Sequence, residues 1–172
     1  VGSEMCIRDS TMLGSEQFNW LTEQLKNSTA RWDVLGNSVM ISPMRFATIA
    51  GNDKANEAIG YIRERSTGIA VNSDQWDGYA AERDRLLTVL DEQNSNPLFL
   101  TGDIHSEWAN SISATYGEIG CEMVTTSISA PNVDEILTSA FGTYHQEDNS
   151  TSLLVEKVIR DNNPWVKHID FD

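Results

Sequence analysis

Cysteine is scarce in this chain: among 172 residues only Cys6 and Cys121 carry a thiol. Basic residues are scarce too, with 12 Lys and Arg against 26 Asp and Glu, a formal net charge of −14. That balance argues against a nucleic-acid-binding surface, which needs clustered Lys and Arg to neutralise phosphates. It suits an exported protein that binds calcium-like ions or lives in salty water, and it suits an ordinary solvated acidic surface equally well. No apolar run approaches the roughly 18 residues that a membrane-spanning helix requires. Internal repeats and low-complexity tracts are absent. So is any G-x-S-x-G elbow, which leaves Ser127 and Ser129 without the surroundings of a serine nucleophile.

The first ten residues, Val1 to Ser10, read as a translated sequencing adapter and not as native coding sequence. They have neither the apolar core nor the cleavage site of a signal peptide. Setting 1–10 aside leaves 11–172 as the native part, with Cys121 its single thiol and no intrachain disulfide to form. That length would normally hold one domain with a proper core. Here the chain opens inside a motif-bearing region and stops on Ile169-Asp170-Phe171-Asp172, which reads as a piece of a larger enzyme.

Periodicity predicts alternating helices and strands. A helix is expected over 15–28, with Ser15 as its N-cap and Phe18, Leu21 and Leu25 on one face. A strand is expected from Trp32 to Ser42, on the strength of Val34, Val39 and Met40. The stretch from Pro43 to Trp76 is too long for an ordinary connection and reads as an inserted lid with a short helix near 56–63. Asp77 is placed to cap a following helix whose Tyr79, Arg83, Leu86, Leu87 and Leu90 share a face. Further elements are expected as strands at 97–101 and 121–128, helices at 133–140 and 150–160, and an extended stretch at 165–171. The alternation predicts a layered α/β fold.

The most informative residues are Gly102-Asp103-Ile104-His105, which close the apolar run Pro97-Leu98-Phe99-Leu100-Thr101. In extended chain alternate side chains point the same way, so Asp103 and His105 would converge while Ile104 faces the other side. A hard carboxylate and an imidazole at the carboxyl end of a sheet strand suit a metal ion. An exposed Asp and a solvated loop His would leave the same four letters.

Other segments accompany that one in a fixed order: Leu13-Gly14-x-x-Gln17-x-x-Trp20-Leu21, then Trp32-Asp33-Val34-Leu35-Gly36-Asn37-Ser38-Val39-Met40. Next come Gln75-Trp76-Asp77-Gly78-Tyr79-Ala80-Ala81-Glu82-Arg83, the GDIH with Ser106-Glu107-Trp108-Ala109, and Ser127-Ile128-Ser129-Ala130-Pro131. In that order and spacing, residues 11–172 closely resemble the C-terminal part of PhoD-like alkaline phosphatases. Those are metal-dependent phosphomonoesterases and phosphodiesterases of the calcineurin-like metallophosphoesterase fold, so the resemblance implies an α/β, layered β-sandwich flanked by helices. It implies metal ions at the carboxyl ends of the strands, where they polarise phosphate and generate a hydroxide nucleophile. Other relatives of that fold end this strand in Gly-His-x-His. Asp103 in place of the first His is a harder donor that suits calcium, while His105 suits an iron-type site.

The resemblance carries Asp103 and His105 over as metal ligands and catalytic residues. It places Asn37 where a preceding strand contributes a ligand, although Ser38 stands where the family more often has Gln, and a turn-capping role would explain Asn37 too. Asp77 and Arg83, from the family's WDGY-x-x-x-R element, would orient substrate phosphate, since guanidinium binds phosphate oxygens bidentately. Their architectural alternative is Asp77 as a cap, Tyr79 buried, and Arg83 paired with Asp77 or Glu82. Trp20, Trp32 and Trp108 read as core or site-wall aromatics, His145 and His168 as surface residues, and Glu107 as support for the metal pair.

The lid residues Lys54, Arg63 and Arg65 would favour phosphate diesters, or simply be solvated. A phosphate ester substrate, a monomer, and a periplasmic or extracellular location follow from the resemblance. The family's bridging aspartate and its earlier Asp- and Asn-containing motifs lie upstream of this region. A second reading is therefore a catalytically silent calcium- or phosphate-binding module. A third, a serine or glycoside hydrolase using Asp103 or Asp77 as general acid, lacks a carboxylate partner.

Overall fold

The apolar run Pro97–Thr101 does form a strand, and it lies inside a mixed sheet of five. The computed structural model describes residues 11–45, 53, 56, 75–141 and 150–171, of which 140, 141, 150 and 151 by backbone alone. The strands are β1 (Asp33–Asn37), β2 (Pro97–Thr101), β3 (Glu107–Ala114), β4 (Gly117–Val124) and β5 (Val166–Asp170), in the spatial order β1-β2-β4-β3-β5. β1, β2 and β4 run parallel, with Asn37 opposite Thr101 and Thr101 opposite Val124. β3 pairs antiparallel with β4 and with β5. The β3–β4 hairpin turns at Thr115-Tyr116, where Gly117 takes φ +137°, a value that a residue with a side chain rarely adopts. The helices are α1 (Gly14–Lys26), α2 (Ala80–Glu92), α3 (Val133–Phe141) and α4 (Ser150–Asn162), with a short 3-10 turn over Trp76–Tyr79.

Alternation along the strands decides which face is covered. Phe99, Thr101, Glu122, Val124, Trp108, Asn110 and Ile112 share one face through their register, and all are buried. Leu25, Leu86 and Leu90 of α1 and α2 pack there with Phe99, Ile112 and Trp76. Leu137, Val155, Val158 and Ile159 of α3 and α4 pack there with Trp108, Val124, Val166 and Ile169. The opposite face carries Val34, Leu100 and Met123, each about half exposed, and no described helix covers it.

Between the two apolar clusters stands Glu122, fully buried. Its Oε1 accepts hydrogen bonds from Ile41 N–H (2.8 Å) and the Thr101 hydroxyl (2.9 Å). Its Oε2 accepts from Ser42 N–H and from the Asn110 amide, both at 3.1 Å. The strand expected over Trp32–Ser42 ends at Asn37, and the backbone donors of 41 and 42 turn to a side chain and not to a neighbouring strand. The following residues are held the same way. Trp165 Nε1 donates to Pro43 O, Met44 N–H to Asp77 Oδ2, and Arg45 N–H to Asn163 Oδ1.

Several local expectations need correcting. Ser15 does not cap α1; the helix starts one residue earlier, and Glu82, buried on α2, accepts the N–H groups of Met12 and Leu13. Asp77 does not cap α2, whose N-cap position is Tyr79; it sits in the 3-10 turn with its oxygens committed elsewhere. β3 is a strand that the sequence does not announce, because Glu107, Asn110, Ser111 and Ser113 mask its pattern. The strand after it runs over Gly117–Val124, and 125–128 leaves the sheet. Of the three tryptophans expected as core or site-wall aromatics, Trp108 is a core residue, while Trp20 and Trp32 are more than half exposed. Val1–Ser10, His145, the lid residues Lys54, Arg63 and Arg65, and all of the 56–63 helix but Asn56 lie outside the described residues.

Glu122→Ala would leave four donors facing a void, each buried unsatisfied donor costing about 1–3 kcal/mol. We expect a loss of at least about 3 kcal/mol in urea unfolding, against less than about 0.5 kcal/mol for Glu118→Ala on the exposed end of the same strand. Equal losses at the two positions would overturn the structural role given to Glu122.

Candidate functional site

Parallel pairing sets the site, because β1, β2 and β4 end together. Asn37, Thr101 and Val124 are in register, so Ser38, Gly102–His105 and Thr125–Ser129 leave the sheet along one edge. An open concavity of about 690 Å³ lies at this edge and on the uncovered face, lined among others by Asn37, Ser38, Gly102, Trp108, Met123 and His168. Chain crossover at the carboxyl ends of parallel strands is where α/β sheets place ligands.

Past β2 the chain is not extended. Asp103 and His105 both have positive φ, +73° and +56°, so strand alternation does not govern their side chains. Asp103 is exposed, and Ile104 packs against the larger apolar cluster. Ser106 Oγ donates to Ile104 O (3.1 Å) and accepts from Trp108 Nε1 (2.7 Å), which ties the turn to the start of β3. His105 Nδ1 lies 2.7 Å from the carbonyl oxygen of Pro131. A carbonyl only accepts, so the proton belongs on Nδ1 and Nε2 carries the lone pair.

Asn37 is engaged at both ends of its amide. Its Oδ1 accepts from Trp76 Nε1 at 3.1 Å, and its Nδ2 donates to Val39 O at 2.5 Å. One lone pair of Oδ1 is left. Asp77 and Arg83 meet at 2.7 Å, with side chains only 15% and 13% exposed, and Asp77 Oδ2 also accepts Met44 N–H at 2.9 Å. The Trp-Asp-Gly-Tyr element thus clamps three parts together: Trp76 holds the end of β1, while Asp77 joins the 43–45 segment to α2. Glu107 pairs with His168 across the uncovered face at 3.2 Å, both about half exposed.

Sequence reasoning did not single out Glu122, Thr126, Asn132 or the Pro131 carbonyl. Ser127–Pro131 stood out as a motif without a role, and the structure shows that it delivers a backbone oxygen to His105. Among the described residues no three His, Cys, Asp or Glu side chains gather as a metal site.

The fold and these elements define the class. The chain belongs to the PhoD-like phosphatase family, whose family model matches residues 2–172. It is 32% identical over 126 residues to alkaline phosphatase D of Bacillus subtilis (strain 168), a match covering 70% of this chain and 19% of that protein. It also superposes on a solved structure described as that of PhoD, with a TM-score of 0.65 and 24% identity, over 95% of this chain and 26% of that one. The structural likeness supports the mixed α/β fold with helices flanking the sheet. The chain spans about a fifth of the curated relative and about a quarter of the solved one.

The Asp77–Arg83 pair is shielded enough to couple measurably. In a double-mutant cycle with Asp77→Ala and Arg83→Ala we expect a coupling free energy of about 1 kcal/mol in chemical denaturation. Additivity within about 0.3 kcal/mol would show that the pair contributes nothing to stability.

Proposed function

We propose that this segment is the C-terminal part of a metal-dependent phosphatase that hydrolyses phosphate esters. The observation that carries the reading is that β1 and β2 end in register, so the Asp103–His105 turn leaves the sheet at the same end as Asn37, whose amide is held by Trp76 of the clamp. Family membership supplies the phosphatase class; the metal dependence and the residue roles are our inference. Asp103 offers an exposed carboxylate and His105, as the neutral ring, an Nε2 lone pair, a mixed oxygen–nitrogen donor set that fits a metal ion of the calcium or iron kind. Asn37 has one lone pair to add.

Bound ions would supply charge that polarises the phosphate and acidifies a water molecule. The chain's own residues hold the geometry. The Pro131 carbonyl orients the imidazole, Trp76 holds the Asn37 amide, and Arg83 is aligned by Asp77 on the clamp behind the edge. An orienting contact between Arg83 and a substrate phosphate would compete with its bond to Asp77. The remaining ligands come from elsewhere in the longer protein, which we take to be exported and monomeric. No helix among the described residues is long and apolar enough to cross a membrane. The silent binding module is the second reading, favoured by the small number of donors this segment brings.

Purified alone, the 172-residue chain should leave generic phosphomonoesters and phosphodiesters uncleaved, with calcium and iron supplied. The longer protein should hydrolyse at least one of them, lose activity to a chelator, and regain it on adding metal. His105→Ala or Asp103→Ala in that longer protein should cost more than about 10²-fold, beyond the 10–100-fold typical of residues behind the ligands. Robust turnover by the short chain would sink this reading, and so would full activity of both substituted longer proteins.

A further inference from the structure

The segment from Thr125 to Val133, a loop and the first residue of α3, touches His105 twice. Its Pro131 carbonyl receives the Nδ1 proton at 2.7 Å, and Val133 N–H donates back to His105 O at 3.1 Å. The side chain of Asn132 explains why that carbonyl stays in place. Asn132 precedes α3 at the position where an Asn ordinarily caps the helix through the N–H two or three residues on. Both of those donors are spoken for: Asp134 N–H goes to Phe171 O, and Glu135 N–H goes to Asp134 Oδ1 at 2.6 Å. Asn132 Oδ1 instead accepts the Thr126 hydroxyl at 2.7 Å, across the neck of the loop. Its backbone N–H is held by Glu135 Oε2 at 2.9 Å, and Ala130 N–H is held by Ser127 Oγ at 2.7 Å. A preferred capping contact has been given up for a bond that closes the loop next to Pro131.

We propose that Thr126 and Asn132 are positioning residues for His105: their bond fixes the Pro131 carbonyl, which locks the imidazole as the Nδ1–H tautomer and keeps Nε2 free as a donor atom. The part of this inference that concerns metal rests on the reading of His105 as a ligand; the tautomer does not. A neutral imidazole exchanges freely between its two tautomers unless one nitrogen is held, and ligand histidines are commonly set by the partner of their other nitrogen.

The test is the imidazole ¹⁵N spectrum of the 172-residue chain labelled at histidine, at about pH 8.5, where an ordinary imidazole of pKa about 6.5 is neutral. With three histidines in the chain, His105→Ala assigns the signal. We expect a protonated Nδ1 and an unprotonated Nε2 for His105 in the unaltered chain, a mixture in Thr126→Val and Asn132→Ala, and recovery of the single tautomer in Thr126→Ser. The backbone amide spectrum away from the loop reports whether each variant has kept its fold. In the longer protein, Thr126→Val should weaken cobalt binding by about 10–100-fold while Thr126→Ser does not.

An Nε2–H tautomer in the unaltered chain overturns the proposal whatever the variants do, and so does a folded Thr126→Val that keeps the Nδ1–H form. The expected tautomer with no cobalt binding in the longer protein would leave the positioning role intact and remove the ligand reading.

Discussion

Glu122 is the constraint on which the described structure turns. A carboxyl group at the centre of a sheet, between two apolar clusters, is costly to bury unless every oxygen lone pair is matched. Here the match is drawn from four places: β2 through Thr101, β3 through Asn110, and two successive backbone N–H groups of the chain leaving β1. Those bonds fix the register of three strands at once. A one-residue slip of β4 would turn Glu122 to the uncovered face and Met123 inward. They also direct the 40–45 segment across the sheet, so that Met40 joins one apolar cluster and Ile41 the other. The Ser42 hydroxyl and the Asn110 carbonyl oxygen, in two residues that bond Glu122, are the buried side-chain polar atoms without a partner among the described residues.

From this anchor the constraint passes outward to the candidate site. The 40–45 segment reaches Asp77 through Met44 and Asn163 through Arg45. Asp77 in turn fixes Arg83, and its neighbour Trp76 fixes Asn37 at the edge where β1 ends. A substitution at the sheet centre is therefore expected to disturb the site edge by way of packed, hydrogen-bonded contacts and without touching any donor atom. The Asp77–Arg83 pair has a structural explanation that does not need a substrate.

Much of the fold was legible in the sequence because its signals were local. The run 97–101 coincides with β2, and the α3, α4 and β5 expectations fall within two residues of the observed elements. What could not be read depended on partners far along the chain. β3 looks polar, yet its Asn110 is buried because Glu122 receives it. The strand from Asp33 stops at Asn37, short of Ser42, and the N–H groups of 41 and 42 go to a residue some eighty positions away. α1 starts without a capping side chain of its own because Glu82 supplies the acceptor. For the candidate site, the order of motifs named Asn37, Asp77, Arg83, Asp103 and His105 as candidates, but no spacing rule shows that a proline carbonyl will meet an imidazole.

The turn after β2 links strain to chemistry. Two non-glycine residues separated by one position hold positive φ, at a cost on the order of 1–3 kcal/mol each where the surroundings must over-determine them. They are over-determined here: Thr125 N–H bonds to Thr101 O before the turn, Val133 N–H to His105 O within it, and Trp108 Nε1 to Ser106 Oγ after it. An extended continuation of β2 would relieve the strain and keep the alternation of Asp103 and His105. It would also carry His105 away from Pro131 and leave both imidazole nitrogens unheld. Asp and His tolerate left-handed backbone better than most residues, so both fit the turn, which also sets the direction from which His105 is supported. The strain and the tautomer are consequences of the same loop contact, and neither is needed to stabilise the sheet.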